Sequence, residues 1–139
     1  MKTSNHRGTE TQSKGLELQN IISGKIIKCA IEVHRQLGPG LLESIYEVCL
    51  CKEFELENIK YVRQKELPII YKNMKLTERY RVDLVVEDSV IVEIKCVETV
   101  SPVHQAQILT YLRLTGTRLG LILNFNTELM RKGIKRVAL

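Results

Sequence analysis

The sequence lacks the cysteine patterns of a zinc finger or a redox motif. Its four cysteines form no CxxC pair, and no histidine stands at zinc-finger spacing from them. We therefore expect the thiols to be reduced and mostly buried. The cysteines are Cys29, Cys49, Cys51 and Cys96.

Long apolar runs are also missing. The first fifteen residues are polar and lack the apolar core of a signal peptide. No stretch elsewhere approaches the roughly 18 apolar residues that a membrane span requires. The sequence therefore predicts a cytoplasmic protein without a membrane partner.

The length and net charge of the chain limit the number of domains and the kind of partner that we expect. At 139 residues, 44% of them hydrophobic, the chain fits one compact domain and has no room for a second. The 21 basic residues exceed the 16 acidic ones, which gives a formal net charge of +5. This balance favours a polyanionic partner such as nucleic acid, because basic side chains displace the counterions condensed on phosphates.

The spacing of apolar residues predicts two helices in the first half of the chain. Residues 1–15 show no periodicity and are expected to be a flexible tail, so the domain covers residues 16–139. One helix is predicted from Leu18 to Leu37 and a second from about Leu41 to Glu57. The second helix is expected to bury Leu42, Ile45, Cys49 and Leu56.

The second half of the chain favours strands, so we predict an α/β fold. Pro68 indicates an edge strand or a strand start, and Lys72-Asn73 is a turn signal. A further helix is expected from about Val103 to Leu114. The predicted strands are Tyr61–Leu67, Ile69–Tyr71, Arg79–Val86, Val90–Cys96 and Leu119–Phe125, the last buried on both faces.

Asp83 and the segment Glu93-Ile94-Lys95 form the strongest chemical feature. Glu93 and Lys95 share one face of their strand, because side chains two apart project on the same side. If the loop between the strands is the three residues 87–89, Asp83 lies opposite Glu93. Opposed carboxylates repel unless a cation separates them, and a site built of oxygen ligands suits Mg²⁺ or Mn²⁺. Lys95 would then orient water or offset charge on a phosphate.

An alternative interpretation is a solvated polar strand face with a surface ion pair. The D…ExK spacing is short and occurs by chance, and a two-residue loop would shift the register by one. Polar residues in the last helix favour the functional interpretation. His104, Gln107 and Tyr111 lie on one side of that helix, although they also suit capping and packing.

With these residues, the sequence resembles the PD-(D/E)XK nuclease superfamily in its RecB-like branch. The residues that carry the resemblance are Asp83, Glu93-Ile94-Lys95 and Gln107-x-x-x-Tyr111. Upstream, Gly40 through Tyr46 matches the GxxExxY pattern that names one family of small proteins in that superfamily. Further matches are Gly38-Pro39-Gly40, His104-Gln105-Ala106-Gln107, and Gly120 through Asn124-Phe125-Asn126.

The resemblance implies a restriction-endonuclease-like core of αβββαβ order, a mixed sheet flanked by helices, with an extra N-terminal helix. It also implies a metal-dependent nuclease that cleaves DNA or RNA. By analogy Asp83 and Glu93 would bind the metal directly, Glu43 would reach it through water, and Lys95 would be the catalytic lysine. Gln107 and Tyr111 would be supporting catalytic residues. Val82 stands where the nominal motif has proline.

Four alternative interpretations of these residues remain open. Glu43 also complements the dipole of the helix that begins near it. The chain would be a nucleic-acid-binding module if it kept the fold without turnover, or a structural interaction protein if it carried a broad apolar patch. The basic run Arg131–Arg136 suits either a phosphate backbone or simple solvation.

Overall fold

Three α-helices and five strands make up the computed structural model, which describes the backbone of residues 2–139 and the side chains of residues 14–139. The helices are α1 (Lys2–Leu37), α2 (Glu43–Leu56) and α3 (Pro102–Thr115). The strands are β1 (Tyr61–Tyr71), β2 (Met74–Val86), β3 (Val90–Lys95), β4 (Leu119–Asn124) and β5 (Ile134–Ala138), with a 3-10 turn at Met130–Gly133.

The strands form one mixed sheet in the order β1-β2-β3-β4-β5. Only the β3–β4 pair is parallel among the described strands, and α3 makes the crossover between those two. Helices α1 and α2 pack on one face of the sheet and α3 on the other. The predicted mixed sheet flanked by helices, with an extra N-terminal helix before the core, is confirmed.

Helix α1 begins at Lys2, well before the predicted start at Leu18. Met1 and the side chains of residues 2–13 lie outside the described part of the chain. The predicted flexibility of residues 1–15 therefore stays a prediction. Between residues 2 and 139 no helix combines the length and the apolar character needed to cross a membrane.

Several local predictions for the sheet are confirmed. Pro68 lies in β1, which is an edge strand. All six residues of β4 are buried, as expected for a strand covered on both faces. Lys72 and Asn73 form the β1–β2 turn, with φ angles of 46° and 65° that match a two-residue hairpin loop.

The predicted apolar face of α2 is wrong. Leu42, Ile45 and Leu56 are exposed, and Cys49 is only half-buried. The helix carries apolar side chains on both sides, so spacing alone does not choose between them. The buried side includes two aromatic rings, which remove more apolar area from water than the aliphatic alternatives. The residues that face the core are Tyr46, Glu47, Leu50, Cys51 and Phe54.

The four cysteines are free, and burial divides them into two pairs. Cys29 and Cys51 are buried, and burial raises the pKa of each thiol to about 11. Cys49 and Cys96 are half-buried, so the expected burial holds for half of the set. The absence of disulfides agrees with the expectation of reduced thiols.

The packing of α3 on β4 predicts opposite effects of alanine at two glycines. A Cβ at Gly120 would lie 2.7 Å from Cγ2 of Ile108 in α3, whereas a Cβ at Gly24 in α1 would meet nothing within 4 Å. We expect Gly120→Ala to destabilise the protein by about 1–3 kcal/mol, since overpacking a core costs roughly that. Gly24→Ala should stabilise it by up to about 1 kcal/mol. Urea unfolding of both variants measures the difference, and equal stabilities would contradict the packing described.

Candidate functional site

Asp83 and Glu93 meet where the ladder between β2 and β3 ends. The ladder pairs Val86 with Val90 and Leu84 with Val92, which is the register of the predicted three-residue loop. One step further along this register, Asp83 lies opposite Glu93. Here side chains replace backbone partners: the Ile94 N–H donates to Oδ2 of Asp83 at 2.8 Å, and the Asp83 N–H donates to Oε1 of Glu93 at 3.3 Å. The two carboxylates therefore share one small region at the opening between the strands.

Strand β1 places Gln64 next to Asp83, on the side away from Glu93. The β1–β2 ladder pairs Arg63 with Leu84 and Lys65 with Val82, which leaves Gln64 opposite Asp83. Gln64 has a φ of 49°, a left-handed backbone conformation that non-glycine residues seldom adopt inside a strand. Its amide nitrogen donates to Oδ1 of Asp83 at 3.4 Å. Such local strain is typical of functional sites, where the surrounding structure must hold it.

Glu47 supports Gln64 from helix α2. Its carboxylate is buried and accepts a bond from the Gln64 amide at 2.8 Å. Arg63 donates to Oε2 of Glu47 through both Nε, at 3.0 Å, and Nη2, at 2.7 Å. A buried charge with this many partners is compensated, and it holds the Gln64 side chain in place. Gln64 thus connects the Arg63–Glu47 ion pair to Asp83.

The sequence analysis did not predict a role in the site for Glu47, Gln64 or Arg63. Glu47 stands four positions after Glu43 and so lies on a neighbouring turn of the same helix face, which was an available signal. No signal in the sequence marked Gln64 and Arg63, because their position depends on the pairing of β1 with β2.

Burial and charge together raise the pKa of Glu93 to about 8. Burial is the largest cause, followed by the neighbouring charge of Asp83, while Lys95 acts in the opposite direction. The pKa of the Tyr80 hydroxyl is also raised, by burial and then by the charge of Glu93. Glu93 is therefore protonated at neutral pH unless a cation replaces the proton. This is the behaviour expected of a carboxylate pair built around a positive ion.

Lys95 projects on the same side of β3 as Glu93, toward α3. Val92 and Ile94, on the other side, belong to the core beneath α1 and α2. The end of β3 is held by β4, because the Phe125 N–H donates to the Lys95 carbonyl at 2.9 Å.

Asn124 lies beside Lys95 and fixes the chain that follows it. The Asn124 side chain is buried and bonds both backbone groups of Val97, accepting from its N–H at 3.1 Å and donating to its carbonyl at 2.8 Å. Asn124 therefore fixes the backbone that leaves the end of β3.

Helix α3 brings one of its three candidate residues against the site. Tyr111 is buried and its ring meets that of Tyr80 edge-on, with centroids 3.9 Å apart. Tyr80 in turn lies near Glu93, so Tyr111 contacts the site through Tyr80. His104 forms a capping box with Ser101, and Gln107 is exposed one turn before Tyr111. Sequence reasoning missed Tyr80, which had no distinguishing spacing.

In the GxxExxY segment, Gly40 and Tyr46 have structural roles, whereas the Glu43 side chain is exposed. Gly40 has a φ of 101°, which favours glycine. The Tyr46 hydroxyl donates to the Gly38 carbonyl and accepts from the Leu41 N–H, so it ties the turn to α2. Glu43 is exposed at the first turn of α2, and its charge contributes to the raised pKa of the Cys96 thiol. Glu43 therefore lies near Cys96, the residue that follows β3.

Within residues 14–139, no three or more His, Cys, Asp or Glu side chains come together closely enough to form a metal site. The structure therefore brings Asp83 and Glu93 together without Glu43. A cation here would have two protein carboxylates, with other coordination positions open to water and phosphate oxygen. Mg²⁺ characteristically binds to one or two carboxylates and retains several waters, so the donor set fits it.

Comparison with known proteins identifies the family. The model of the PD-(D/E)XK nuclease superfamily matches residues 20–137. The chain belongs to this superfamily.

The fold also resembles one known from a solved structure. The crystal structure of SSO0001 is similar, with a TM-score of 0.51 and 16% sequence identity. The similarity covers 68% of this chain and 48% of SSO0001, so this chain spans about half the length of that protein. At this identity the likeness concerns the fold alone. No significant match was found among curated proteins.

The raised pKa of Glu93 predicts a pH-dependent stability in the metal-free protein. The folded state keeps this proton up to about pH 8, whereas the unfolded state releases it near the ordinary value of 4.5. Because the folded state binds the extra proton, its free energy of unfolding should fall as pH rises through this window. We expect Glu93→Gln to remove that part of the slope.

Urea unfolding at a series of pH values in a chelator measures the slope. Glu128→Gln is a matched control, since Glu128 is exposed and the substitution removes the same formal charge. The control should follow the wild type. Identical slopes in wild type and Glu93→Gln would show that Glu93 titrates normally.

Proposed function

We propose that this chain is a metal-dependent nuclease that hydrolyses phosphodiester bonds in DNA or RNA. The observation that carries the proposal is the pair of facing carboxylates, Asp83 and Glu93, at the point where β2 and β3 separate. Superfamily membership supports the reaction class, and the local geometry supports the assignment of these residues to the site. The domain that would carry this activity covers residues 16–139, preceded by the tail at residues 1–15.

Asp83 and Glu93 would hold Mg²⁺ or Mn²⁺. Such an ion would offset the negative charge of the phosphate and make a nearby water molecule more acidic. Asp83 retains acceptor capacity for it, because each carboxylate oxygen has two lone pairs and its bonds from Ile94 and Gln64 use only part of them. Glu93 would exchange its proton for the cation.

Lys95 would supply the positive charge next to the reacting phosphate. It stands on the strand face of Glu93 and is half-buried, and its charge already acts on the Glu93 carboxyl. An ammonium group in this position would orient the attacking water or offset charge on the pentacovalent phosphate. Its partial burial strengthens that effect, because water screens it less.

The remaining predicted residues would have supporting roles. Gln107 is exposed and free to bind a substrate phosphate, whereas Tyr111 would act through its ring contact with Tyr80. Glu43 would reach the ion through water from the first turn of α2. We further propose membership of the GxxExxY family within the RecB-like branch, and a cytoplasmic location.

A second candidate function is nucleic-acid binding without turnover. The observation that favours it is that Asp83 already accepts two hydrogen bonds from the protein, from the Ile94 N–H and the Gln64 amide. These contacts would stabilise the carboxylate without any ion. Metal-dependent cleavage distinguishes the two functions, because only the nuclease would show it.

The different roles of Glu93 and Lys95 predict different defects in their variants. Glu93→Gln removes an anionic ligand at nearly constant shape, so metal affinity and cleavage should both fall. Lys95→Ala should bind metal at least as tightly as the wild type, because a competing cation is gone, and lose about 10²- to 10⁴-fold in cleavage rate. Calorimetric titration with Mn²⁺ and cleavage of labelled DNA and RNA measure the two properties.

Lys52→Ala is a suitable control, since Lys52 is exposed on α2. It should leave both properties unchanged. Cleavage that survives Lys95→Ala at the wild-type rate would come from another site or a contaminant. Metal binding without cleavage of any single-stranded, duplex or branched substrate would favour the binding module.

A further inference from the structure

The hairpin of β1 and β2 extends beyond the rest of the sheet. Strand β2 pairs with β3 only from Leu84 to Val86, while its pairing with β1 continues to Met74. Around Leu67 and Tyr80 the hairpin still packs against α3. Beyond them, residues 68–79 form a two-stranded ribbon in which no residue is buried. At about 3.3 Å per residue, the ribbon projects about 13 Å from Leu67 to Tyr71.

The ribbon and its base hold most of the excess positive charge of the chain. Residues 65–81 contain five basic and two acidic side chains, a net charge of +3 of the total +5. All five basic residues are exposed: Lys65, Lys72, Lys75, Arg79 and Arg81. Glu66 pairs only loosely with two of them, at 4.0 Å from Arg79 and 3.6 Å from Arg81. The surface therefore suits a polyanion.

The tip of the ribbon is apolar rather than charged. Ile70, Tyr71 and Met74 are 62%, 58% and 57% exposed, on both sides of the Lys72-Asn73 turn. Exposed apolar side chains clustered on a projecting element suit contact with a partner. Basic flanks with an apolar end match a groove of nucleic acid, where phosphates line the rims and base edges form the floor.

The ribbon also begins at the candidate catalytic site. Asp83 follows the exposed Arg81 by two residues on the same strand, and Gln64 precedes Lys65 on the other. A nucleic acid with one phosphate at Asp83 would therefore continue along the ribbon. Strand addition by a second copy of the chain is disfavoured at this edge, since Pro68 lacks an N–H and the register shifts between Pro68 and Ile70.

We propose that residues 65–81 form a DNA-binding arm that enters the major groove of duplex DNA. The B-form major groove, about 12 Å wide, admits a two-stranded ribbon. The major groove of A-form RNA is too deep and narrow for side chains to read. The arm thus assigns duplex DNA as the substrate class. The assignment rests on the proposed nuclease function, whereas DNA binding by the arm is measurable without cleavage.

The experiment compares two triple variants of equal charge change. The arm variant is Lys72→Ala, Lys75→Ala and Arg79→Ala. The control is Lys25→Ala, Lys28→Ala and Lys52→Ala, which removes three exposed basic residues of α1 and α2, the helices on the other face of the sheet from α3. Fluorescence anisotropy with a mixed-sequence 20-base-pair DNA duplex, in a chelator, gives affinity as a function of salt. Matched melting temperatures establish that all proteins are folded.

The wild type should prefer duplex DNA to duplex RNA and to single-stranded DNA. The arm variant should lose about tenfold or more in affinity, and its salt slope should fall by about 2 to 3, since each lost phosphate contact removes about 0.9. The control should stay within about twofold of the wild type, with its slope unchanged. Equal losses in both variants, or a loss in the control alone, would overturn the proposal.

A third variant tests the apolar tip at constant charge. Ile70→Thr combined with Tyr71→Ser should reduce the preference for duplex over single-stranded DNA and leave the salt slope unchanged. An unchanged preference would contradict insertion of the tip into a groove.

Analytical ultracentrifugation tests whether the ribbon binds a second copy of the chain instead of DNA. The ribbon would be a dimer contact if the wild type is a dimer, the arm variant is a monomer and the two have the same DNA affinity. DNA binding that depends on the arm, in a protein that shows no cleavage, would contradict only the proposed nuclease function.

Discussion

The electrostatic repulsion between Asp83 and Glu93 is the constraint around which the surrounding structure is arranged. Two carboxylates facing each other across a strand pair are unfavourable, and burial of Glu93 makes the repulsion stronger because less water screens it. The protein compensates with the Ile94 N–H, the Gln64 amide and the charge of Lys95. Burial of Glu93, and then the charge of Asp83, raise the pKa of Glu93 to about 8. A cation between the two carboxylates would replace the proton and offset the repulsion.

Much of the fold followed from local patterns in the sequence. The register of β2 and β3 could be predicted because a three-residue loop centred on Asp88 leaves one alignment, and the pairing of Leu84 with Val92 confirms it. The burial of β4 was readable from its continuous apolar run. The face of α2 was not, because apolar residues occur on both of its sides and only packing against the sheet distinguishes them. Strand β5 was missed, since its basic side chains conceal the strand pattern.

The candidate site was predictable where its residues share one strand or one hairpin. Glu93 and Lys95 are related by strand periodicity, and Asp83 by a short loop. The Glu47–Gln64 connection depends on how α2 docks beside β1, and the Tyr80–Tyr111 contact depends on how α3 crosses the sheet. These are long-range relations that no local spacing encodes. The left-handed conformation of Gln64 is equally hidden, because glutamine gives no turn signal.

Anomalous diffraction from crystals grown with Mn²⁺ at pH 8 would show whether Asp83 and Glu93 together bind a cation. This pH is close to the raised pKa of Glu93, so the proton competes less with the ion than it does at neutral pH. We expect one strong anomalous peak between the Asp83 and Glu93 carboxylates, within coordination distance of an oxygen from each, and no peak there in Asp83→Asn crystals. A wild-type map with no peak at this position, at a Mn²⁺ concentration that occupies other sites, would contradict it.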